Sequence, residues 1–312
     1  MPLDPRVRRF LDKLAAAGAA SALAQSVEER RRSLVQLLSF GGPAKPVGHV
    51  EEHGFAGPQG PLRVRIYTPA GAGDQRRVPG LVYFHGGGFV GGSLDTHDGI
   101  CRALTRSSGC RLLSVDYRLA PEHPFPAAID DGLAATAWVA AHAAELGLDP
   151  DRIGVCGDSA GATLAAVVCQ AAAAGGPHLA CQFLLCPIMD YAAESESRRS
   201  LAEGYLVDRA TLEHDLRHYL PPGVDRADPR VSPLRATQLR GLPPTCVHTA
   251  EYDPLRDEGA AYAERLREAG VSSTYRSHPG MIHLFYGLGA VVPYAETAFE
   301  LMGEDIRSML SG

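Results

Sequence analysis

Five short apolar runs separated by helix-length segments constrain this chain more than any other feature: Leu81-Val82-Tyr83-Phe84, Leu112-Leu113-Ser114-Val115, Ile153-Gly154-Val155, Phe183-Leu184-Leu185 and Thr245-Cys246-Val247-His248. A run without polar alternation suits a strand covered on both faces, which is the habit of parallel sheets with helices on either side. The intervening stretches 96–107, 127–146, 160–174 and 257–269 read as helices, so a doubly wound sheet is expected. Two earlier stretches, 47–55 and 62–68, flank Gly57-Pro58-Gln59-Gly60 and read as two edge strands making an antiparallel start.

The alternation breaks once. Between Asp190 and Leu242 a polar stretch replaces the expected short connection, and connections this long are usually functional lids or insertions. Inside it Asp208 is placed to cap a helix carrying Leu212, Leu216 and Tyr219, closed by Pro221-Pro222. Residues 1–45 precede the first strand and read as helix, with Val7, Phe10, Leu11 and Leu14 on one face. The expected division is therefore a catalytic domain of residues 46–190 and 242–312, with a helical cap of residues 1–45 and 191–241 over the sheet's C-terminal edge, where open α/β sheets place their sites.

Composition narrows the function classes. The formal charge is −6 and the basic residues are scattered arginines, with Lys13 and Lys45 the only lysines, so nucleic-acid binding is not expected. The densest charged run, Glu28-Glu29-Arg30-Arg31-Arg32, balances itself and reads as a solvated helix face. Seven cysteines, odd in number and without a C-x-x-C pair, read as buried free thiols in a reducing, cytoplasmic setting. No stretch approaches the ~20 apolar residues of a spanning helix, so no membrane partner is expected. The histidines and cysteines show no ligand spacing, so neither a metal nor an organic cofactor is expected.

The chemistry starts from Gly157-Asp158-Ser159-Ala160-Gly161, a G-x-S-x-G between the strand-like Arg152-Ile153-Gly154-Val155-Cys156, which follows an Asp149-Pro150 turn signal, and an alanine-rich helix ended by Gly175-Gly176-Pro177. In that setting a sharp strand-to-helix turn presents the serine at a helix N-terminus, and the glycines remove side chains that would collide across the turn. The pattern alone is weak, because glycine and serine are common in loops. Three further features support Ser159 as nucleophile. His85-Gly86-Gly87-Gly88-Phe89 follows a strand directly, and its N–H groups, those of Gly86 and Gly87 with that of Ala160, are candidates for an oxyanion hole; a plain tight turn is the alternative. Asp253 stands after the run at 245–249, where Pro254 is suited to open a helix, while Asp257 and Glu258 fall where acids complement a helix dipole. His283 follows a final short strand and a Pro279-Gly280 turn, and of the twelve histidines it alone combines that placement with the order Ser159, Asp253, His283. His85 and Glu122 read as loop braces, as does Asp158, and Trp138 reads as a packing residue.

Together with Asp116-Tyr117-Arg118-Leu119-Ala120-Pro121-Glu122, Asp228-Pro229-Arg230-Val231-Ser232-Pro233-Leu234 and Asp253-Pro254-Leu255-Arg256-Asp257-Glu258, these motifs make the chain resemble the hormone-sensitive-lipase-like esterases, the bacterial family IV. The resemblance implies an α/β-hydrolase fold, a mostly parallel eight-stranded sheet flanked by helices with a helical cap. It implies a serine carboxylesterase with Ser159, Asp253 and His283 as triad, acting on small esters, and a possible homodimer. Phe89, Tyr205, Leu206 and Leu284 are pocket candidates. Ala162 and Leu284 stand where the family usually has glycine, which bears on substrate preference. An acyltransferase, lactonase or amidase with the same triad, or a receptor that kept only the pocket, are the alternatives.

Overall fold

The computed structural model describes residues 1–18, 21–72 and 77–311. Eight strands form one sheet: β1 (His49–Gly57), β2 (Gly60–Thr68), β3 (Val78–Phe84), β4 (Arg111–Val115), β5 (Leu148–Asp158), β6 (Gln182–Leu185), β7 (Thr245–Tyr252) and β8 (Ser273–Ile282). Their spatial order is β1-β2-β4-β3-β5-β6-β7-β8. β2 pairs antiparallel with β1 and β4, and every other pairing is parallel. β2 is thus interior, and β1 alone of the hairpin is an edge.

Nine α-helices are seen among the described residues: α1 (Pro5–Ala16), α2 (Val27–Leu38), α3 (Asp98–Ser108), α4 (Ala127–Ala141), α5 (Ala160–Ala173), α6 (Glu196–Ser200), α7 (Arg209–Tyr219), α8 (Arg256–Glu268) and α9 (Tyr294–Met309). Alternation along the strands sorts the core into two layers. On β3, Val82 and Phe84 join a cluster with residues of α4, α5 and α8, while Leu81 and Tyr83 join one with residues of α1, α3 and α9. Trp138 packs against Phe55 with ring centroids 4.7 Å apart. All seven cysteines are buried and free. No helix among the described residues is long and apolar enough to cross a membrane.

Among the described residues, the segments before β1 and between β6 and β7 contribute helices, turns and loops but no strand. Val7, Phe10 and Leu11 of α1 are buried as their spacing requires; residues 19 and 20, within the stretch expected to be helical, lie outside the described residues. α2 opens with a capping box in which Glu29 N–H donates to Ser26 Oγ and Ser26 N–H donates to Glu29 Oε2. Asp208 caps α7, accepting from Thr211 N at 2.7 Å.

Three boundaries differ from the sequence reading. Asp149-Pro150 lies inside the opening of β5 rather than in a turn before it, and α4 stops at Ala141. Pro279-Gly280 is not a turn either. β7 pairs Ala250 with His278 and then Tyr252 with Ile282, so β8 carries surplus residues there as a bulge, with Gly280 at φ 72°. A turn and a bulge ask for the same residue types, so the sequence does not separate them.

Candidate active site

Ser159 is the residue between β5 and α5. Its φ of 52° is unusual for a residue with a Cβ and marks a sharply folded turn. The turn closes because its flanking residues lack side chains: a Cβ on Gly161 would lie 2.0 Å from the Phe84 carbonyl oxygen, and one on Gly157 would lie 2.3 Å from that of Gly161. Ser159 N–H donates to Leu185 O at 2.8 Å, fixing the turn to the end of β6.

Asp253 and His283 follow the ends of β7 and β8, neighbours in the sheet. His283 Nδ1 lies 2.8 Å from Asp253 Oδ2, and His283 Nε2 lies 3.1 Å from Ser159 Oγ. With Nδ1–H donating to the carboxylate, Nε2 is left with a lone pair directed at the hydroxyl. Asp253 is fully buried, and its Oδ1 accepts from Leu255 N at 2.9 Å, so both oxygens are anchored. α8 begins at Arg256, so Pro254 serves that turn rather than the helix itself. Cys186, which the sequence reading placed only among buried thiols, brings its sulfur within 4.8 Å of donor atoms of Asp253 and His283. Burial, with the Asp253 carboxylate nearby, holds its thiol well above the ordinary value, so it stays neutral.

The glycine loop after β3 faces the turn. Gly86 does not donate into the site in this geometry, against expectation: its N–H is given to Asp158 Oδ1 at 2.9 Å. Asp158 is fully buried and also accepts from the Tyr83 hydroxyl, while Tyr286 Oη and His97 Nε2 each lie 3.5 Å from its Oδ2. Burial by itself would raise this carboxyl, but His97 and Tyr83 outweigh it and hold Asp158 below its usual range. The N–H groups of Gly87 and Gly88 donate to no protein acceptor among the described residues, and that of Ala160, in the first turn of α5, has no intrahelical partner. His85 lies behind them, its ring stacked on Tyr117 with centroids 4.4 Å apart and its Nδ1 2.9 Å from Gly86 O.

The pocket candidates separate. Phe89 is 1% exposed and stacks on Tyr219 at 4.1 Å, so its ring fills the core under the loop instead of lining an open surface. Leu284 is buried beside His283 at φ 61°. Tyr205 and Leu206 are partly exposed, and Tyr205 stacks on Tyr252 at the end of β7.

A second donor group, Cys246, His248 and Asp305, lies below the sheet's active edge. His248 Nε2 is 3.0 Å from Asp305 Oδ2, its Nδ1 is 2.9 Å from His278 Nε2, and His278 Nδ1 is 3.1 Å from the Tyr294 hydroxyl. Arg276 also grips Asp305 with two hydrogen bonds, so a cation there would meet an existing positive charge. The group is better suited to holding β7, β8 and α9 together.

The chain is similar to known proteins over most of its length. A family described as alpha/beta hydrolase fold matches residues 81–287. Esterase LipI of Mycobacterium tuberculosis is 40% identical over 313 residues, covering 99% of this chain and 96% of that one. The solved ester-hydrolase EH1AB1 from the Lake Arreo metagenome, complexed with a bipyridine phosphonate derivative, superposes with TM-score 0.95 at 42% identity over 100% of both chains. The hyperthermophilic esterase of Pyrobaculum calidifontis superposes with TM-score 0.93 at 38% identity, again over 100% of both. The chain belongs to the α/β-hydrolase family, among its hormone-sensitive-lipase-like esterases, and is a carboxylic ester hydrolase.

Proposed function

We propose that the chain hydrolyses short- to medium-chain carboxylic esters through an acyl-enzyme on Ser159. The observation that carries this reading is the unbroken path from Ser159 Oγ through the His283 ring to the Asp253 carboxylate, at 3.1 and 2.8 Å. His283 Nε2 takes the hydroxyl proton as Oγ bonds to the ester carbonyl carbon. The tetrahedral intermediate then expels the alkoxide, which leaves as the alcohol with the proton from Nε2. Water, deprotonated by the same nitrogen, attacks the acyl-enzyme, and collapse returns the proton to Oγ and releases the acid. Asp253 fixes the tautomer and stabilises the imidazolium.

The negative charge that develops on the carbonyl oxygen is met by N–H groups of Gly87, Gly88 and Ala160 in this reading, because Gly86 N–H is already committed to Asp158. The segments 1–45 and 191–241 act as one cap, supported by the ion pair between Arg30 of α2 and Asp215 of α7. A covered site favours small esters over a lipid interface.

Ser159→Ala is expected to lower p-nitrophenyl butyrate turnover on the order of 10⁴-fold or more, with the thermal unfolding midpoint unchanged within a few degrees. A variant retaining a parental rate and burst would overturn the nucleophile, and a series of acyl lengths tests the substrate range.

A further inference from the structure

The charged run in α2 is not a uniform solvated face. Arg32 points outward, 58% exposed, and pairs with Glu28. Arg30 and Arg31 turn inward. Arg31 Nε donates to Val90 O at 2.8 Å and Nη2 to Ala120 O at 3.1 Å, with both terminal nitrogens on the Glu122 carboxylate. Its fork therefore holds the far end of the glycine loop.

Arg30 reaches a different partner. Its Nε and Nη2 donate to Asp215 Oδ1 and Oδ2 at 3.1 and 2.8 Å, and the two side chains are only 14% and 7% exposed. His214 Nδ1 lies 3.0 Å from the same Oδ1. Asp215 is pressed against the loop itself: a Cβ on Gly88 would lie 2.1 Å from its Oδ2 and 2.5 Å from its Cβ. A poorly solvated carboxylate thus touches the residue whose N–H, in the reading above, faces the developing oxyanion. Left alone, that charge would oppose the oxyanion through a low-dielectric medium.

We propose that Arg30 and Asp215 are positioning residues for the oxyanion hole: the carboxylate seats Gly88, and the guanidinium, delivered by the N-terminal helix, cancels the carboxylate's charge where the oxyanion forms. The proposal rests on the Ser159 mechanism. It makes the N-terminal segment a contributor to the chemical step as well as to the enclosure of the site. The pair is bidentate and buried, which gives it the geometry to hold a loop as well as to balance a charge.

The test uses R30Q, D215N and R30Q/D215N in the full chain, with p-nitrophenyl acetate kinetics, phosphonylation by a p-nitrophenyl phosphonate and thermal unfolding. R30Q leaves the carboxylate uncompensated, so kcat and the phosphonylation rate should fall about 10–100-fold, with KM within about threefold. The double variant removes both charges and keeps an amide in each position, so kcat should return to within about fivefold of the parent. A simple latch would instead make the double variant as slow as R30Q or slower. A parental kcat in R30Q, or a double variant no faster than R30Q, overturns the proposal. Should R30Q fail to fold, D215N against the double variant decides, because both carry the Asp215→Asn change and differ only in the charge at position 30: phosphonylation at least about threefold faster in D215N supports the charge account, and equal rates overturn it. The esterase reading is scored separately, by turnover in the parent and its loss in Ser159→Ala.

Discussion

Ser159 Oγ and His283 Nε2, the proposed nucleophile and base, sit 3.1 Å apart, but the two halves of the molecule that deliver them are built differently. The nucleophile half, where β5 turns into α5, is shaped by backbone meeting backbone, with Gly161 against Phe84 and His85 and Gly157 against Gly161. The base half, made of β7 and β8, is shaped by side chains. His248 and His278 hold the strands together in the core, and five residues further along each strand come Asp253 and His283. Even the tight turn after the base uses a side chain, since Leu284 takes a positive φ and buries itself. Where backbones touch, no substitution is tolerated and the sequence is forced. Where side chains mediate, several solutions exist.

The sharpest way to break this comparison is Gly161→Ala. Its Cβ would sit 2.0 Å from a carbonyl oxygen of β3 and 2.5 Å from the next, and neither backbone can retreat without opening the sheet. A loss of about 3 kcal/mol or more in urea unfolding is expected, with turnover lost alongside. Near-parental stability would show that the nucleophile half yields as the base half does.

Acid tests the other half. Burial, with His248 and Arg276 adding to it, pushes His278 down to about 3 from 6.5, and burial lowers His248 although Asp305 opposes this. A histidine held neutral in the fold contributes stability that is complete above its unfolded pKa and is lost as pH falls from 6.5 toward the folded value, because the unfolded chain takes up the proton first. The His278 ring should cost about 1.4 kcal/mol per pH unit between roughly pH 5.5 and 4. His278→Gln should flatten the stability profile by that slope over the same window. An unchanged slope would remove the pair from the account of acid unfolding. His85, pushed to about 3 chiefly by burial with His97 adding to it, adds a matching slope from the nucleophile half and remains as an internal comparison.

The smallest effect is expected at Leu284. Replacing it with glycine relieves the left-handed backbone, worth about 1–2 kcal/mol, and removes a buried side chain, worth about 2–5 kcal/mol. A net loss of about 1–3 kcal/mol follows from these opposed terms, well short of an elbow substitution. A stabilised variant would mean that strain, not packing, governs this turn.

The same contrast explains what could be read in the sequence. Ser159, Asp253 and His283 were legible because each follows a strand in a fixed order, and the cap of α7 because Asp208 precedes its helix directly. The commitment of Gly86 to Asp158 was not, since a glycine's sequence context does not say which of its neighbours points its N–H inward. Arg30 and Asp215 are separated by 185 positions and belong to segments whose packing no local period announces. Taken locally, Glu28-Glu29-Arg30-Arg31-Arg32 has the pattern of a solvated face, and Glu28, Glu29 and Arg32 behave as one while Arg30 and Arg31 do not. Phe89 followed a glycine loop as a pocket wall would, yet Tyr219 from the distant α7 covers it.

The irregularity in β8 leaves the alternation of its side chains intact. While β7 advances from Ala250 to Tyr252, β8 spends the path from His278 to Ile282, so its surplus is even-numbered. An odd surplus would exchange inside for outside along everything downstream, whereas an even one leaves that assignment intact. The strand thereby takes up slack of about 6–7 Å, two residue rises, without rotating its cargo. By that register, removing the pair would let β8 run straight with Ile282 still opposite Tyr252, so what the chain stored beside Pro279 changes is the course of the strand and not the side of the sheet on which His283 arrives.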